Sequence, residues 1–572
     1  MSELAWWQKA VFYQIYPRSF ADSNGDGIGD IPGVIERLDY LQELGIGGIW
    51  LSPHYPSPIY DCGYDISDYT SVAPEYGTLD DFERLLGEAH QRGIRVILDL
   101  VLNHTSDQHS WFVESRSSRD SPRRDWYIWR DGRGGGPPNN WYSCFGGSAW
   151  EYDQVTDQYY YHHFFKEQPD LNWRNPEVER AMFDAVRFWL DLGVDGFRLD
   201  AIGTIFEDPA LPDQTAGMSL LELHRAFQTV SSEAERKRLS QRAETMFRYQ
   251  REQPGVHRLM QKLRAITDEY PDRVLVGETD KIAYHGDGEN ELHLVFNFPL
   301  MGTERITPAW VRANQRERLS ALPPGAWPCN TLGNHDSPRV YSRYCDGQND
   351  GALARLHLAL VLTLRGTPFL YNGEEIGMTG LLLEDISQFR DNLGVWMYQA
   401  LVDGQRVPPA KALTLAARLS RDQCRTPMQW ANAPNGGFSP PGVRTWLPVN
   451  PNYAQGVNVD DQLADPGSLL SFYRNVLYMR KQTPALVAGD YTPLHEDAEH
   501  YLAFIRSSEA DGQTCLVVLN MSDQAHVLRF DLDTLVARLV FSSHAREGDT
   551  DDLSQLTLSP FEVYVAEIER NT

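Results

Sequence analysis

Eight short runs rich in β-branched and aromatic residues recur along this chain, at 11–16, 47–51, 94–101, 194–199, 273–278, 292–296, 328–332 and 367–371. Amphipathic helical stretches such as 34–41, 80–91 and 181–190 lie between them. Hydrophobic period separates the two kinds of segment, because strand side chains alternate faces while helical ones return every three to four residues. Eight strand-helix units in one chain predict an α/β fold closed into a TIM-type (β/α)8 barrel rather than an open sheet. In such a barrel the reactive side chains are expected at the C-terminal ends of the strands.

The fourth run carries the most pointed chemistry. Asp195-Gly196-Phe197-Arg198-Leu199-Asp200 follows an apolar helical stretch and a break at Gly193, so the period changes where the charges begin. On a strand, Arg198 and Asp200 share one face and Phe197 and Leu199 the other. A carboxylate beside a guanidinium stays ionised at neutral pH, as a carboxylate nucleophile requires. A strand-end salt bridge without chemistry is the competing reading.

Three excursions leave strand C-terminal ends. The barrel is expected to begin at 1–102 and resume at 173–489, with an inserted subdomain over 103–172, rich in Trp, Tyr, Gly, Asn and Pro. A second excursion spans 203–254, with a charged helical run at 231–251, and a third, irregular insertion spans 376–450. All three are placed to wall a cleft. From 490 to 572 the pattern becomes alternating strands at 501–505, 515–519 and 563–566, which predicts a small antiparallel β domain.

A formal charge of −27, from 79 acidic and 52 basic residues, argues against a nucleic-acid or anionic-membrane partner and favours a neutral substrate. No run of eighteen apolar residues occurs and the N-terminus lacks the pattern of an export signal, so a cytoplasmic location without membrane partner is expected. The six cysteines are far apart and show no metal-ligand spacing, consistent with reduced thiols. Nothing in the pattern sets an oligomeric state.

The strand ends converge on one chemistry. Asp99 lies at the end of the third run with Asn103-His104 beyond it, Arg198 and Asp200 end the fourth, Glu278 the fifth, and Asn334-His335-Asp336 follow the seventh. In these stretches the sequence resembles glycoside hydrolase family 13, the α-amylase family, through Asp99-Leu100-Val101-Leu102-Asn103-His104, Gly196-Phe197-Arg198-Leu199-Asp200, Val276-Gly277-Glu278 and Asn334-His335-Asp336. Gln168-Pro169-Asp170-Leu171-Asn172 and Arg425-Thr426-Pro427-Met428-Gln429-Trp430 are similar to stretches of its oligo-1,6-glucosidase and α-glucosidase branch.

The resemblance implies roles. Asp200 would be the nucleophile, Glu278 the general acid and then base, and Asp336 a carboxylate that grips sugar hydroxyls. Asp61 and Tyr64 would hold the terminal sugar, His104 and His335 would donate to its hydroxyls, and Phe164, Gln168, Arg198 and Arg421 would complete the pocket. Burial and neighbouring carboxylates are expected to raise the Glu278 pKa, while Arg198 keeps Asp200 charged. The adjacent His162 and His163 read as structural.

Side-chain oxygens also alternate through Asp22, Asn24, Asp26 and Asp30, with Gly27 available for a sharp turn. Such a loop suits a hard divalent cation, and a solvated Asx-type turn is the other reading. The resemblance implies a structural Ca2+ or Mg2+ held by Asp22, Asn24, Asp26, Ile28 and Asp30, and no cofactor for the chemistry.

The expected function is therefore a retaining, exo-acting α-glucosidase working on short α-glucosides. Two alternatives stand beside it: a glucosyl transferase or isomerase of the same family, such as a trehalose synthase or a sucrose-acting enzyme, and a non-catalytic sugar-binding barrel. The residue after the nucleophile is often Val in relatives preferring α-1,6 bonds and Thr in those preferring α-1,4. Here it is Ala201, which also occurs in the transferring relatives and leaves linkage open.

Overall fold

A computed structural model describes residues 4–230, 232–532 and 536–568. Eight parallel strands, β1 (Phe12–Ile15), β2 (Gly48–Leu51), β3 (Arg95–Val101), β4 (Gly196–Asp200), β5 (Val274–Gly277), β6 (Leu294–Val295), β7 (Cys329–Thr331) and β8 (Thr367–Tyr371), form one sheet. Each overlaps an expected run, and none extends more than one residue beyond it. The strands pair in sequence order from β1 to β6, β7 pairs with β8, and β8 returns to β1. A parallel bridge between Phe296 and Cys329 closes the ring between β6 and β7. At that seam Asn297 Nδ2 also donates to Asn330 Oδ1 at 3.1 Å.

Strand alternation sorts the side chains by depth as well as by face. Phe12, Trp50, Ile97, Val276, Leu294, Phe296 and Phe369 fill the barrel axis as one buried cluster, with the Phe12 and Phe369 rings stacked at 4.4 Å. Two residues beyond Phe12 and Ile97 come Gln14 and Asp99, and on β4 Arg198 and then Asp200 follow Gly196. The interior is thus apolar below and charged at the C-terminal rim. Phe197 and Leu199 face the surrounding helices in the larger core.

The delivery of β4 is set locally. Helix Pro176–Leu192 starts with Asn175 accepting the Glu177 N–H at 2.9 Å and Pro176 in its first turn, and ends at Gly193, whose φ of 103° supplies the left-handed cap. Gly196, at φ 146°, then lies so close to β5 that a Cβ would fall 2.0 Å from the Val274 carbonyl oxygen. Only glycine lets β4 and β5 pair at this point.

The excursions carry more regular structure than their composition suggests. Within 103–172 lie helix Ser110–Arg116 and a three-stranded antiparallel sheet of Trp129–Arg130, Gln158–Tyr161 and Trp150–Asp153. Helices Leu220–Thr229 and Glu233–Phe247 occupy 203–254, the second within the charged run expected at 231–251; Ser231, the first residue of that run, is outside the described residues. The segment read as irregular, 376–450, contains helices Asn392–Gln399 and Pro409–Leu419. The helix expected at 34–41 is two helices, Ile31–Glu36 and Leu38–Leu44, broken at Arg37 (φ −106°, ψ 6°), whose guanidinium lies 4.2 Å over the Trp430 ring.

Beyond the barrel, a six-stranded antiparallel sheet centres on Tyr501–Ser508, Gln513–Asn520 and Val563–Ile568. It is joined to the barrel through Arg506, buried, whose Nη1 donates to the Thr363 carbonyl at 2.6 Å. All six cysteines are free, and among the described residues no helix is long and apolar enough to cross a membrane.

Candidate active site

One guanidinium organises the centre of the barrel mouth. Arg198 Nη1 lies 2.6 Å from Asp99 Oδ1 and 2.7 Å from Asp200 Oδ1, while its Nη2 lies 2.8 Å from Glu278 Oε2. Arg198 and Asp200 project from the same face of β4, and Glu278 follows β5 directly, so adjacent strands bring the two carboxyls together. Asp200 and Glu278 thus contact the two terminal nitrogens of one guanidinium. Such a pairing suits a retaining glycosidase, whose carboxyls lie about 5 Å apart, rather than the ~6.5–9.5 Å an inverting one leaves for its water.

Three carboxylates sharing one cation cannot all ionise freely. Burial pushes the Glu278 carboxyl up to about 8; Arg198 opposes the shift, and the charges of Asp200 and Asp336 add to it. Asp200 is also raised, by burial above all, and by less than Glu278. This departs from the expectation that Arg198 would simply hold Asp200 charged: the guanidinium is divided among three acids in a poorly solvated site. The ordering nonetheless leaves Asp200 the ionised partner and Glu278 the protonated one near neutrality.

Asp336 sits deep in the mouth with one face open to the cavity. Burial would raise it, but His335, Arg425 and Arg421 outweigh that and hold it well below the usual carboxylate range. Arg425 Nη2 donates to Asp336 Oδ1 at 2.5 Å, and Arg421 Nη1 lies 3.6 Å from the same oxygen. His335 is pushed down to about 3 by burial and is therefore neutral. Its Nδ1 lies 2.6 Å from Gln14 Nε2 and its Nε2 2.6 Å from the Tyr64 hydroxyl. With the Gln14 amide donating, the imidazole proton sits on Nε2 and is donated to the Tyr64 hydroxyl oxygen. Tyr64 in turn donates to Asp99 Oδ2 at 3.0 Å and stacks on His335 at 5.4 Å.

The far wall is made by the loops. Asp61, after β2, accepts from Gln168 Nε2 at 3.0 Å and from Arg421 Nη2 at 2.7 Å. Gln168 Nε2 also lies 2.9 Å from His104 Nε2, and the Phe164 ring packs edge-on against His104 at 5.2 Å. Asp61, Tyr64, His104, Phe145, Phe164, Asp200, Ala201, Glu278, Asp336 and Arg421 line a single cavity of about 260 Å3. That is small beside the ~300–1,000 Å3 of common ligand clefts and matches a short saccharide rather than a polymer groove.

Of the residues singled out in the sequence for the sugar, Gln168, Arg198 and His335 stand just behind the cavity lining, where they hold Asp61, Asp200 and Tyr64. Phe145 was not singled out, yet lines the cavity with its ring 5.4 Å from the Arg421 guanidinium; its segment has no period that would mark it. Arg425 was quoted only as part of a stretch, and its grip on Asp336 depends on a fold contact between distant loops.

The loop expected to hold a cation is compact and closes on its own amides. Asp22 accepts from the Gly25 and Gly27 N–H groups at 2.7 and 2.9 Å, Asn24 from Asp26, Asp26 from Ile28, and Asp30 from Ser23 and Gly33. Among the described residues no group of three or more His, Cys, Asp or Glu is drawn together as a metal cluster would require.

Comparison with known proteins agrees with this geometry. Residues 14–489 match the family described as alpha amylase, catalytic domain, and residues 491–565 match maltogenic amylase, C-terminal domain. The oligo-1,6-glucosidase of Parageobacillus thermoglucosidasius is 40% identical over 586 residues, covering 99% of both chains. A probable alpha-glucosidase of Rhizobium meliloti (strain 1021) is 41% identical over 534 residues, covering 91% of this chain and 90% of that one. The crystal structure of the trehalulose synthase MutB from Pseudomonas mesoacidophila MX-45 superposes with a TM-score of 0.87 at 38% identity, covering 99% of this chain and 100% of that one. The chain belongs to the α-amylase family of glycoside hydrolases, family 13.

Proposed function

We propose that this protein is a retaining, exo-acting α-glucosidase that removes one glucose unit from the nonreducing end of short α-glucosides by double displacement. The observation that carries the reading is the shared guanidinium: Arg198 holds Asp200 at 2.7 Å and Glu278 at 2.8 Å on one side of a cavity of about 260 Å3. The free oxygen of the Asp200 carboxylate attacks the anomeric carbon while the bond to the leaving oxygen breaks. Glu278 gives its proton to that oxygen, leaving a glucosyl ester on Asp200. Glu278, now ionised, takes a proton from water as the water attacks the same carbon and frees Asp200. Two inversions return the α-anomer.

The remaining groups act on the sugar itself. Asp336, held ionised, accepts from ring hydroxyls that sharpen their hydrogen bonds as charge develops at the anomeric carbon. The neutral His335 holds Tyr64 in the wall through its N–H, and Asp61 with Arg421 closes the nonreducing end, leaving room for one terminal residue. Incubation with maltose, isomaltose, sucrose and trehalose, with chromatographic identification of every product, tests the reading. Free glucose from at least one disaccharide is expected; release of internal fragments from starch with no glucose from any disaccharide overturns it.

A second reading, glucosyl transfer or isomerisation, is favoured by Ala201 after the nucleophile and by the similarity to a trehalulose synthase described in complex with its substrate sucrose. Its mark in the same panel is a disaccharide isomer in place of free glucose. Two further elements belong to the proposal. The 22–30 loop would hold a structural Ca2+ or Mg2+ through Asp22, Asn24, Asp26, the Ile28 carbonyl and Asp30; metal analysis and a lower melting temperature in chelator test it. A cytoplasmic location is supported by six unpaired thiols, and is tested by cell fractionation.

A further inference from the structure

Asp391 touches no part of the cavity, yet it is the most heavily engaged acid around it. Fully buried, it accepts from three nitrogens of one residue: the Arg421 backbone N–H at 2.7 Å and Nη2 at 2.7 Å and Nε at 3.1 Å of the same side chain. Two points of attachment fix a guanidinium in plane and in rotation, which a single contact does not. What is left of the Arg421 fork then faces the cavity, with Nη2 2.7 Å from Asp61 Oδ1 and Nη1 3.6 Å from Asp336 Oδ1.

Asp391 also begins the helix Asn392–Gln399, accepting the Leu393 N–H at 3.2 Å. That helix carries Trp396, packed on Gly146 so tightly that a Cβ on the glycine would fall 2.1 Å from the indole. Gly146 adjoins Phe145, whose ring lines the cavity and lies 5.4 Å from Arg421. One buried carboxylate thus stands behind both walls of the nonreducing end: the arginine directly, and the aromatic loop of the inserted subdomain through the helix.

We infer that Asp391 is a positioning residue for the terminal sugar, setting the orientation of Arg421 and the seat of the Phe145 loop so that the pocket is closed beyond one glucose unit. The inference rests on the α-glucosidase reading for its substrate. Exchanging the carboxylate for an amide keeps an oxygen for the helix cap but turns the second acceptor into a donor facing a guanidinium, so the bidentate hold is lost.

The test compares wild type, Asp391→Asn, Arg421→Lys, Arg421→Ala and the double variant Asp391→Asn/Arg421→Ala. Glucose binding is followed by calorimetry, which needs no turnover, and kcat and KM are measured with an aryl α-glucoside. Asp391→Asn is expected to weaken glucose binding and raise KM about tenfold while kcat falls by less, the pattern of lost ground-state positioning. In the Arg421→Ala background the same exchange is expected to add little, because neighbours acting through one another are not additive. Arg421→Lys is expected to resemble Asp391→Asn, since an ammonium does not span both acids.

Unchanged glucose binding and KM in Asp391→Asn, or an effect that is fully additive with Arg421→Ala, overturns the inference. A lower melting temperature with unaltered sugar binding also overturns it, leaving Asp391 a helix cap only. If the wild type binds glucose but turns over no glucoside, the α-glucosidase reading fails while the positioning role is still decided by the binding series. If the wild type binds no glucose, both fall.

Discussion

Glu278 Oε2 lies 2.8 Å from Arg198 Nη2 and accepts the Ala201 N–H, also at 2.8 Å. Both contacts are donors, so the oxygen they hold cannot carry the acidic proton, which is therefore on Oε1. Ala201 makes its contact from a left-handed backbone (φ 41°, ψ 43°), turning its amide back toward the end of β5. The residue after the nucleophile thus orients the acid through its main chain, whatever its side chain.

The pH profile follows from these two carboxyls. Burial raises Glu278 to about 8, so the acid is protonated below that value and kcat/KM falls as pH rises through it. Asp200 must be ionised to attack, and its own upward shift moves the acidic limb above the usual carboxylate range. A bell with an alkaline limb near 8 is expected. Glu278→Gln removes the alkaline limb from whatever residual activity remains.

The two acids should separate when the leaving group is changed. Asp200→Asn is expected to lower kcat by several orders of magnitude on every substrate, since no ester forms without the nucleophile. Glu278→Gln is expected to lose comparable activity on disaccharides but to release a burst of nitrophenol from an aryl glucoside, which leaves without a proton. Rapid-quench kinetics and mass spectrometry of the glucosylated protein check both outcomes.

Stability carries the same signature with the opposite consequence. A carboxyl whose folded pKa is raised contributes stability that is present below its unfolded pKa and lost as pH rises through the folded value. For Glu278 that loss runs from the ordinary carboxylate range up to about 8. Glu278→Gln should therefore melt higher, relative to wild type, at pH 9 than at pH 4, as followed by calorimetry.

Phe145→Ala tests the aromatic wall. The ring lies 5.4 Å from the Arg421 guanidinium and 4.5 Å from Phe165, so truncation removes a cation–π contact and opens the cavity to water. A rise in KM of about tenfold is expected, corresponding to roughly 1–2 kcal/mol of lost packing and cation–π attraction. An unchanged KM for short glucosides would show the loop to be a bystander.

The repeating period of the strands was enough to read the barrel and its eight strand positions, because alternation and helical return are local properties of the chain. The face shared by Arg198 and Asp200, and the placement of Glu278 and Asp336 after their strands, were legible for the same reason. Three things were not. The upward shift of Asp200 depends on burial and on one arginine being divided among Asp99 on β3, Asp200 on β4 and Glu278 just after β5. Phe145 reaches the cavity from a stretch without period, and Asp391 lies in a segment whose helices composition did not reveal. By itself the sequence determined which faces would be buried and where charge would stand on each strand. Only the tertiary structure decided which charges share a partner and which loops meet over the mouth, because most of those contacts join residues from tens to hundreds of positions apart and are selected by packing and desolvation rather than by local pattern.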